Sequence, residues 1–128
     1  MAGFPEIGNQ EIPSYGSNTA EGGSTRAIGK YAHAEGRDTV ANNRYTHAEG
    51  TNTVADDMAA HAEGFMTVAS GRFSHSEGYL TRAGDKYTHS EGYKSVAELC
   101  CSHVEGSETS AIGQCSHAEG RRCIASGN

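Results

Sequence analysis

The sequence predicts an all-β chain wound as a parallel β-solenoid, with one rung per 14 residues and two short strands per rung. Three observations predict it. Histidine recurs at His33, His47, His61, His75, His89, His103 and His117, always 14 residues apart. Glycine stands three residues after each of these, and a second column of mostly Gly, Asn and Asp falls seven residues further on. Between those two columns small and larger side chains alternate with period two, the pattern of a strand with one buried face. A fixed internal period of this kind marks a repeat architecture.

Bulk composition narrows what such a chain can be. Only 35% of the 128 residues are hydrophobic, there is no Trp, and Gly reaches 17 against 2 Pro. Large side chains are too few for a conventional globular core, while scarce Pro and strict periodicity argue against a disordered chain. A net charge of −6 and a pI near 5.6 give no electrostatic reason to expect nucleic acid as a partner. No apolar run approaches the ~18 residues of a membrane span. Met1 to Gln10 lack the basic start and apolar stretch of a secretory signal. The ending Ile124-Ala125-Ser126-Gly127-Asn128 stops in mid-repeat, so a piece of a longer fibre protein is expected.

Taken along the chain, residues 1–18 precede the first copy and are expected to form a lead-in or cap. The repeat domain spans 19–128 in eight copies, the first being Thr19-Ala20-Glu21-Gly22, with Thr in the His place. Counting that place as 0, Gly36, Gly50, Gly64, Gly78, Gly92, Gly106 and Gly120 hold position +3 and are read as turn residues. Position +10 carries Gly29, Asn43, Asp57, Gly71, Asp85, Leu99, Gly113 and Gly127. Gly, Asn and Asp tolerate positive φ, so a second turn of that kind is expected at +10, with Leu99 as its one misfit. Strands lie between: Thr39 and Ala41 flank Val40, and Thr46 and Ala48 flank His47. A coiled coil is excluded, because Gly at every seventh residue would cost a helix ~1 kcal/mol each. Rungs stacked ~4.8 Å apart would make a rod roughly 38 Å long. Each rung buries its inner face only against its neighbours, so the array should fold cooperatively.

Two ladders run through the repeats. His at 0 is joined at +2 by Glu35, Glu49, Glu63, Glu77, Glu91, Glu105 and Glu119. Like charges ~4.8 Å apart repel, so each Glu is expected to accept hydrogen bonds from turn amides or from a His, within the chain or across an interface. Metal binding or acid–base chemistry is the alternative use of such pairs. An active site breaks symmetry and needs a pocket, so no catalytic residue, cofactor or metal ligand is assigned and an enzyme is not expected. Buried neutral His rings would loosen the assembly at acidic pH.

Smaller columns follow. Position +12 carries Tyr31, Tyr45, Ala59, Phe73, Tyr87, Cys101 and Cys115, read as closing an edge of the roll or sealing a contact between chains. Position +4 carries Phe65, Tyr79 and Tyr93 in consecutive copies, with Met66, Leu80 and Lys94 beside them at +5. Phe65, Met66, Tyr79, Leu80 and Tyr93 therefore form a candidate binding patch, with packing between chains the competing explanation. Thr25, Thr39, Thr53, Thr67, Thr81 and Thr109 form a ladder at +6 that is read as packing and hydrogen bonding along the sheet. The charges at neighbouring Arg26 and Arg82 speak against an ice-binding face. Cys100, Cys101, Cys115 and Cys123 contain no Cys-x-x-Cys pair of a zinc site. Cys101 and Cys115 occupy one position in adjacent rungs, within disulfide reach. Free thiols filling small apolar positions are nonetheless expected before cross-links.

The stretch Ser74-His75-Ser76-Glu77-Gly78 and its copies alternate with segments such as Thr67-Val68-Ala69-Ser70-Gly71. Together they resemble the YadA-like head repeats of trimeric autotransporter adhesins, and Ala27-Ile28-Gly29 and Ala111-Ile112-Gly113 come closest to that pattern. The likeness covers residues 19–128. It implies a left-handed β-roll, a homotrimer, and attachment to a host-surface or matrix ligand. Similar repeats occur in phage tail fibres, which makes a passive shaft the other reading. The implied location is a bacterial surface or a virion. This chain departs from the adhesin pattern in showing no neck, stalk or membrane anchor. Its four cysteines shift weight towards a fibre assembled in a reducing cytoplasm.

Overall fold

Each repeat folds into one five-residue and one two-residue strand, because four of its fourteen positions carry side chains small enough to face inward. The computed structural model describes residues 10–11 and 18–127. The longer strands are β2 (Thr19–Gly23), β4 (His33–Arg37), β6 (His47–Thr51), β8 (His61–Phe65), β10 (His75–Tyr79), β12 (His89–Tyr93), β14 (His103–Ser107) and β16 (His117–Arg121). The shorter ones are β3 (Arg26–Ala27), β5 (Val40–Ala41), β7 (Val54–Ala55), β9 (Val68–Ala69), β11 (Arg82–Ala83), β13 (Val96–Ala97), β15 (Ser110–Ala111) and β17 (Ile124–Ala125). Pairing between the repeats is parallel and in register by 14 residues, so His75 lies beside His61 and His89, and Glu77 beside Glu63 and Glu91. Among the described residues the long strands form an eight-stranded sheet and the short ones a nine-stranded sheet.

The ninth strand is β1 (Gln10–Glu11), which pairs with β3 and extends the short-strand sheet towards the N-terminus. The rest of the expected cap, residues 1–9 and 12–17, lies outside the described residues.

The core is a column of Ala, Thr and Ser. Ala34, Thr39, Ala41 and Thr46 point inward in one rung, each with at most 1% exposure, and the same four positions repeat along the rod. The two sheets can approach because almost nothing larger than Thr stands between them; Val104 is the largest fully buried side chain. The Thr ladder at +6 is inside this core, which removes it from any ice-facing or ligand-facing role.

Positive φ does not fall where the residue types suggested. At +3 the glycines do have φ of 109–127°, but they are not the turn residues expected: each is the fourth residue of a long strand, as Gly78 is in β10, and still pairs with the neighbouring rungs. At +10, Gly29, Asn43, Asp57 and Leu99 do not have positive φ; the left-handed residues sit at +5 and +12, seven apart, with φ of 52–62°. These include Asp38, Met66, Tyr45, Phe73 and Cys101, which are mostly not the residues that favour that region. The compensation is a hydrogen bond. In the strands N–H groups point to the following rung, as from Val40 to the Thr53 carbonyl (2.9 Å), whereas at the corners they turn back. Tyr45 N–H donates to the Lys30 carbonyl at 3.0 Å and Asn52 N–H to that of Arg37 at 2.9 Å. A left-handed residue flips its peptide, so even the corners pair between rungs. Position +10 takes a side chain that caps the next amide, as Asp57 does for Met58 N–H at 2.6 Å, or one that stays outside, except at Gly29, Gly71 and Gly113, where a Cβ would run into the backbone of the next rung. Leu99, 43% exposed, takes the second option and is no misfit.

Candidate functional site

The alternation that turns Ala48 inward turns His47 and Glu49 outward on the same strand, and the parallel register repeats this along the long-strand sheet. The outcome is a continuous imidazole column. Six successive ring pairs lie 4.7–5.0 Å apart, five of them near-parallel and only His33 and His47 tilted, at 59°.

Each His places Nε2 beside the carboxylate two residues on, at 3.0 Å for His33–Glu35 and up to 3.6 Å for His117–Glu119. The His of its own rung is thus beside each Glu, but it serves as a hydrogen-bond partner in only two rungs. In the His33 and His89 rungs the approach has hydrogen-bond geometry, at 3.0 and 3.2 Å. At His47, His61, His75 and His103 the distance is similar, 3.2–3.5 Å, but the direction is wrong. Those four nitrogens are shielded from solvent and have no hydrogen-bond partner.

Crowding of like groups sets the ladder's electrostatics. Partial burial, then the flanking His61 and His33, lowers the pKa of His47. Burial followed by His61 and His89 does the same to His75. Among the carboxyls, a hydrogen bond shared with Glu63, then burial, pushes Glu77 up to about 7, while accepting from Glu77 lowers Glu63. Burial raises Glu49 as well, and a hydrogen bond from His33 lowers Glu35. Glu49 and Glu77 are thus shifted up and their neighbours Glu35 and Glu63 down, the pattern of like groups crowded together.

Cross-rung proximity follows. Glu63, His75 and Glu77 bring one ligand atom each to within 4.8 Å of one another, and Glu77, His89 and Glu91 do likewise. The reading of these residues as structural passed over such triples, although the 14-residue period already sets Glu63 one rung before Glu77. A shallow groove of about 570 Å³ runs beside them, lined by Glu49, Glu63, Glu77, Glu91 and the glycines Gly64, Gly78 and Gly92.

The second feature is the apolar patch. Phe65, Tyr79 and Tyr93 stack at 5.3 Å per step and are 40–43% exposed. Met66 is 44% exposed beside them and Leu80 is half-buried, so the structure brings all five candidate residues together. Lys94 sits 5.2 Å from the Tyr93 ring and covers that end of the stack. The aromatic column at +12 stacks only in pairs, Tyr31 on Tyr45 at 5.5 Å and Phe73 on Tyr87 at 5.6 Å, all four exposed.

The cysteines are free, as expected, but they do not fill apolar positions: Cys101 and Cys115 are exposed and Cys100 and Cys123 half-buried. The left-handed corner at +12 directs its side chain out of the roll. The close sulfur pair is Cys100 and Cys101, 3.2 Å apart within one corner.

Comparison of the chain with family models, curated proteins and solved structures returned no match.

Proposed function

We propose that this chain is a non-enzymatic fibre module, three copies side by side, that attaches a bacterial or virion surface to a cell or host ligand. The observation that carries this reading is the three-ring stack of Phe65, Tyr79 and Tyr93 with Met66 and Leu80, a contiguous apolar strip exposed in mid-rod. Apolar surface of that kind marks an interaction site. The ring faces cover one another, so a partner meets the ring edges and the Tyr hydroxyls. Trimer formation is supported by the thinness of the core, since Ala, Ser and Thr bury little apolar area per rung. The half-buried Val40, Val54 and Val68 on the short-strand sheet offer further surface for neighbouring chains. Near-identical rungs speak against an enzyme, which needs one asymmetric site.

A passive phage-fibre shaft is the second reading, favoured by the exposed Cys101 and Cys115, which suit assembly in a reducing compartment.

Light scattering in reducing buffer at neutral pH, combined with binding to intact bacterial or host cells, tests both. The wild type is expected near three times 13.4 kDa, and a mass of 13.4 kDa overturns the trimer. Tyr79→Ser is expected to keep the trimer and weaken cell binding. Loss of the trimer would instead assign the strip to packing, and unchanged binding would favour the shaft.

A further inference from the structure

We propose that the middle of the His/Glu ladder is a binding site for divalent transition-metal ions such as Zn²⁺. His75 with Glu63 and Glu77 holds one ion, and His89 with Glu77 and Glu91 holds a second. This stands apart from the attachment reading and needs only the single chain.

Geometry is the first argument. Each triple has its three ligand atoms within 4.8 Å of one another. The His75 Nε2 to Glu77 Oε2 distance is 3.3 Å and the His89 to Glu91 distance 3.2 Å. Both match the ~3.3 Å edge of a tetrahedron whose metal–ligand bonds are 2.0–2.1 Å. At His75 this distance comes without hydrogen-bond direction, and the nitrogen is shielded from solvent with no partner. A cation lying between nitrogen and oxygen satisfies both lone pairs, which a mispointed N–H does not.

Charge is the second. Glu63, Glu77 and Glu91 stand in register on adjacent strands, and stacked carboxylates repel unless a counter-charge relieves the repulsion. A divalent cation does so for two carboxylates at once. Imidazole together with carboxylate selects Zn²⁺, Ni²⁺ or Cu²⁺ over the all-oxygen preference of Mg²⁺ and Ca²⁺. The His75 and His89 rings are 4.9 Å apart. Ions at that spacing sit further apart than the ~3.5–4 Å of tightly bridged pairs, so Glu77 can serve both. The open groove lined by Glu63, Glu77, Glu91 and Gly78 admits water to complete the coordination.

Isothermal titration of the chelator-stripped full chain with ZnCl₂ at pH 7.5 tests the site. Saturable uptake of up to two ions per chain is expected, with Mg²⁺ giving no comparable heat. Glu77→Gln, which removes the shared ligand, should lower the affinity by at least ~10-fold, the effect known even for loss of supporting residues. His117→Ala, at the exposed end of the ladder, should leave uptake unchanged. Circular dichroism establishes that each variant is folded, and His75→Gln replaces Glu77→Gln if the latter is not. Absence of saturable Zn²⁺ binding would overturn the proposal. So would a Glu77→Gln protein that binds like wild type, or a His117→Ala loss as large as that of Glu77→Gln.

Discussion

At the scale of single residues, Thr53 and Thr81 occupy the same inward position two rungs apart but differ in what their hydroxyls reach. Thr81 Oγ1 donates to the Glu77 carbonyl at 3.0 Å and meets Ser76 Oγ at 2.8 Å. Thr53 Oγ1, equally buried, has no hydrogen-bond partner. Leaving a buried polar group unpaired costs about 1–3 kcal/mol, and a formed hydrogen bond contributes about 1. Thr53→Val is therefore expected to stabilise the chain by ~1 kcal/mol and Thr81→Val to destabilise it by ~1–2 kcal/mol. Urea unfolding of the two variants reads the difference, and equal effects would contradict it. His47 makes a pH prediction. Burial and the rings of His33 and His61 depress its pKa, against the opposing pull of Glu35 and Glu63. Above the ordinary imidazole pKa of ~6.5 both folded and unfolded chains hold His47 neutral. As pH falls through that value the unfolded chain takes up its proton first, so stability is lost. The melting-temperature advantage of wild type over His47→Gln should accordingly shrink between pH 7.5 and pH 5. An advantage that grows on acidification would contradict the assignment.

Among the elements, the long strands depend on a glycine that the sequence shows plainly and for two reasons it does not show. Gly78 has φ of +110°, outside the reach of L side chains, and a Cβ there would run into the Gly92 carbonyl oxygen of the next rung. Gly78→Ala is expected to cost on the order of 3 kcal/mol or more, because backbone strain and a backbone clash act together. Thermal unfolding measures it, and a loss below ~1 kcal/mol, the ordinary effect of a mutation, would rule the clash out. The corners were less legible. Gly, Asn and Asp at +10 advertise positive φ, yet that conformation belongs to Tyr45, Phe73 and Cys101 at +12. A left-handed non-glycine residue costs on the order of 1–2 kcal/mol, and the hydrogen bond to the neighbouring rung, which spares a backbone pair the similar cost of going unpaired, offsets it in every copy after the first.

On the scale of the whole molecule, in-register stacking makes rungs interchangeable. Excision of residues 61–74 joins Ala60 to His75 and restores the inward and outward positions of both neighbours. The shortened chain should unfold in one transition with a denaturant slope about one eighth smaller, since that slope scales with the surface exposed. Two separate transitions would show that the ladder is not continuous.

The sequence by itself determined the period, and the period determined the register, the two sheets and which side chains face the core. It could do so because inward positions accept only small residues, so composition records the geometry in every copy. The joining of Phe65, Tyr79 and Tyr93 into one strip was legible for the same reason. Tertiary structure alone decided which corner residues are left-handed, why Leu99 fits, and that His75 Nε2 is shielded between carboxylates without a hydrogen bond. Those outcomes depend on bond directions and on distances of a few ångströms between rungs, which arise only once the copies stack.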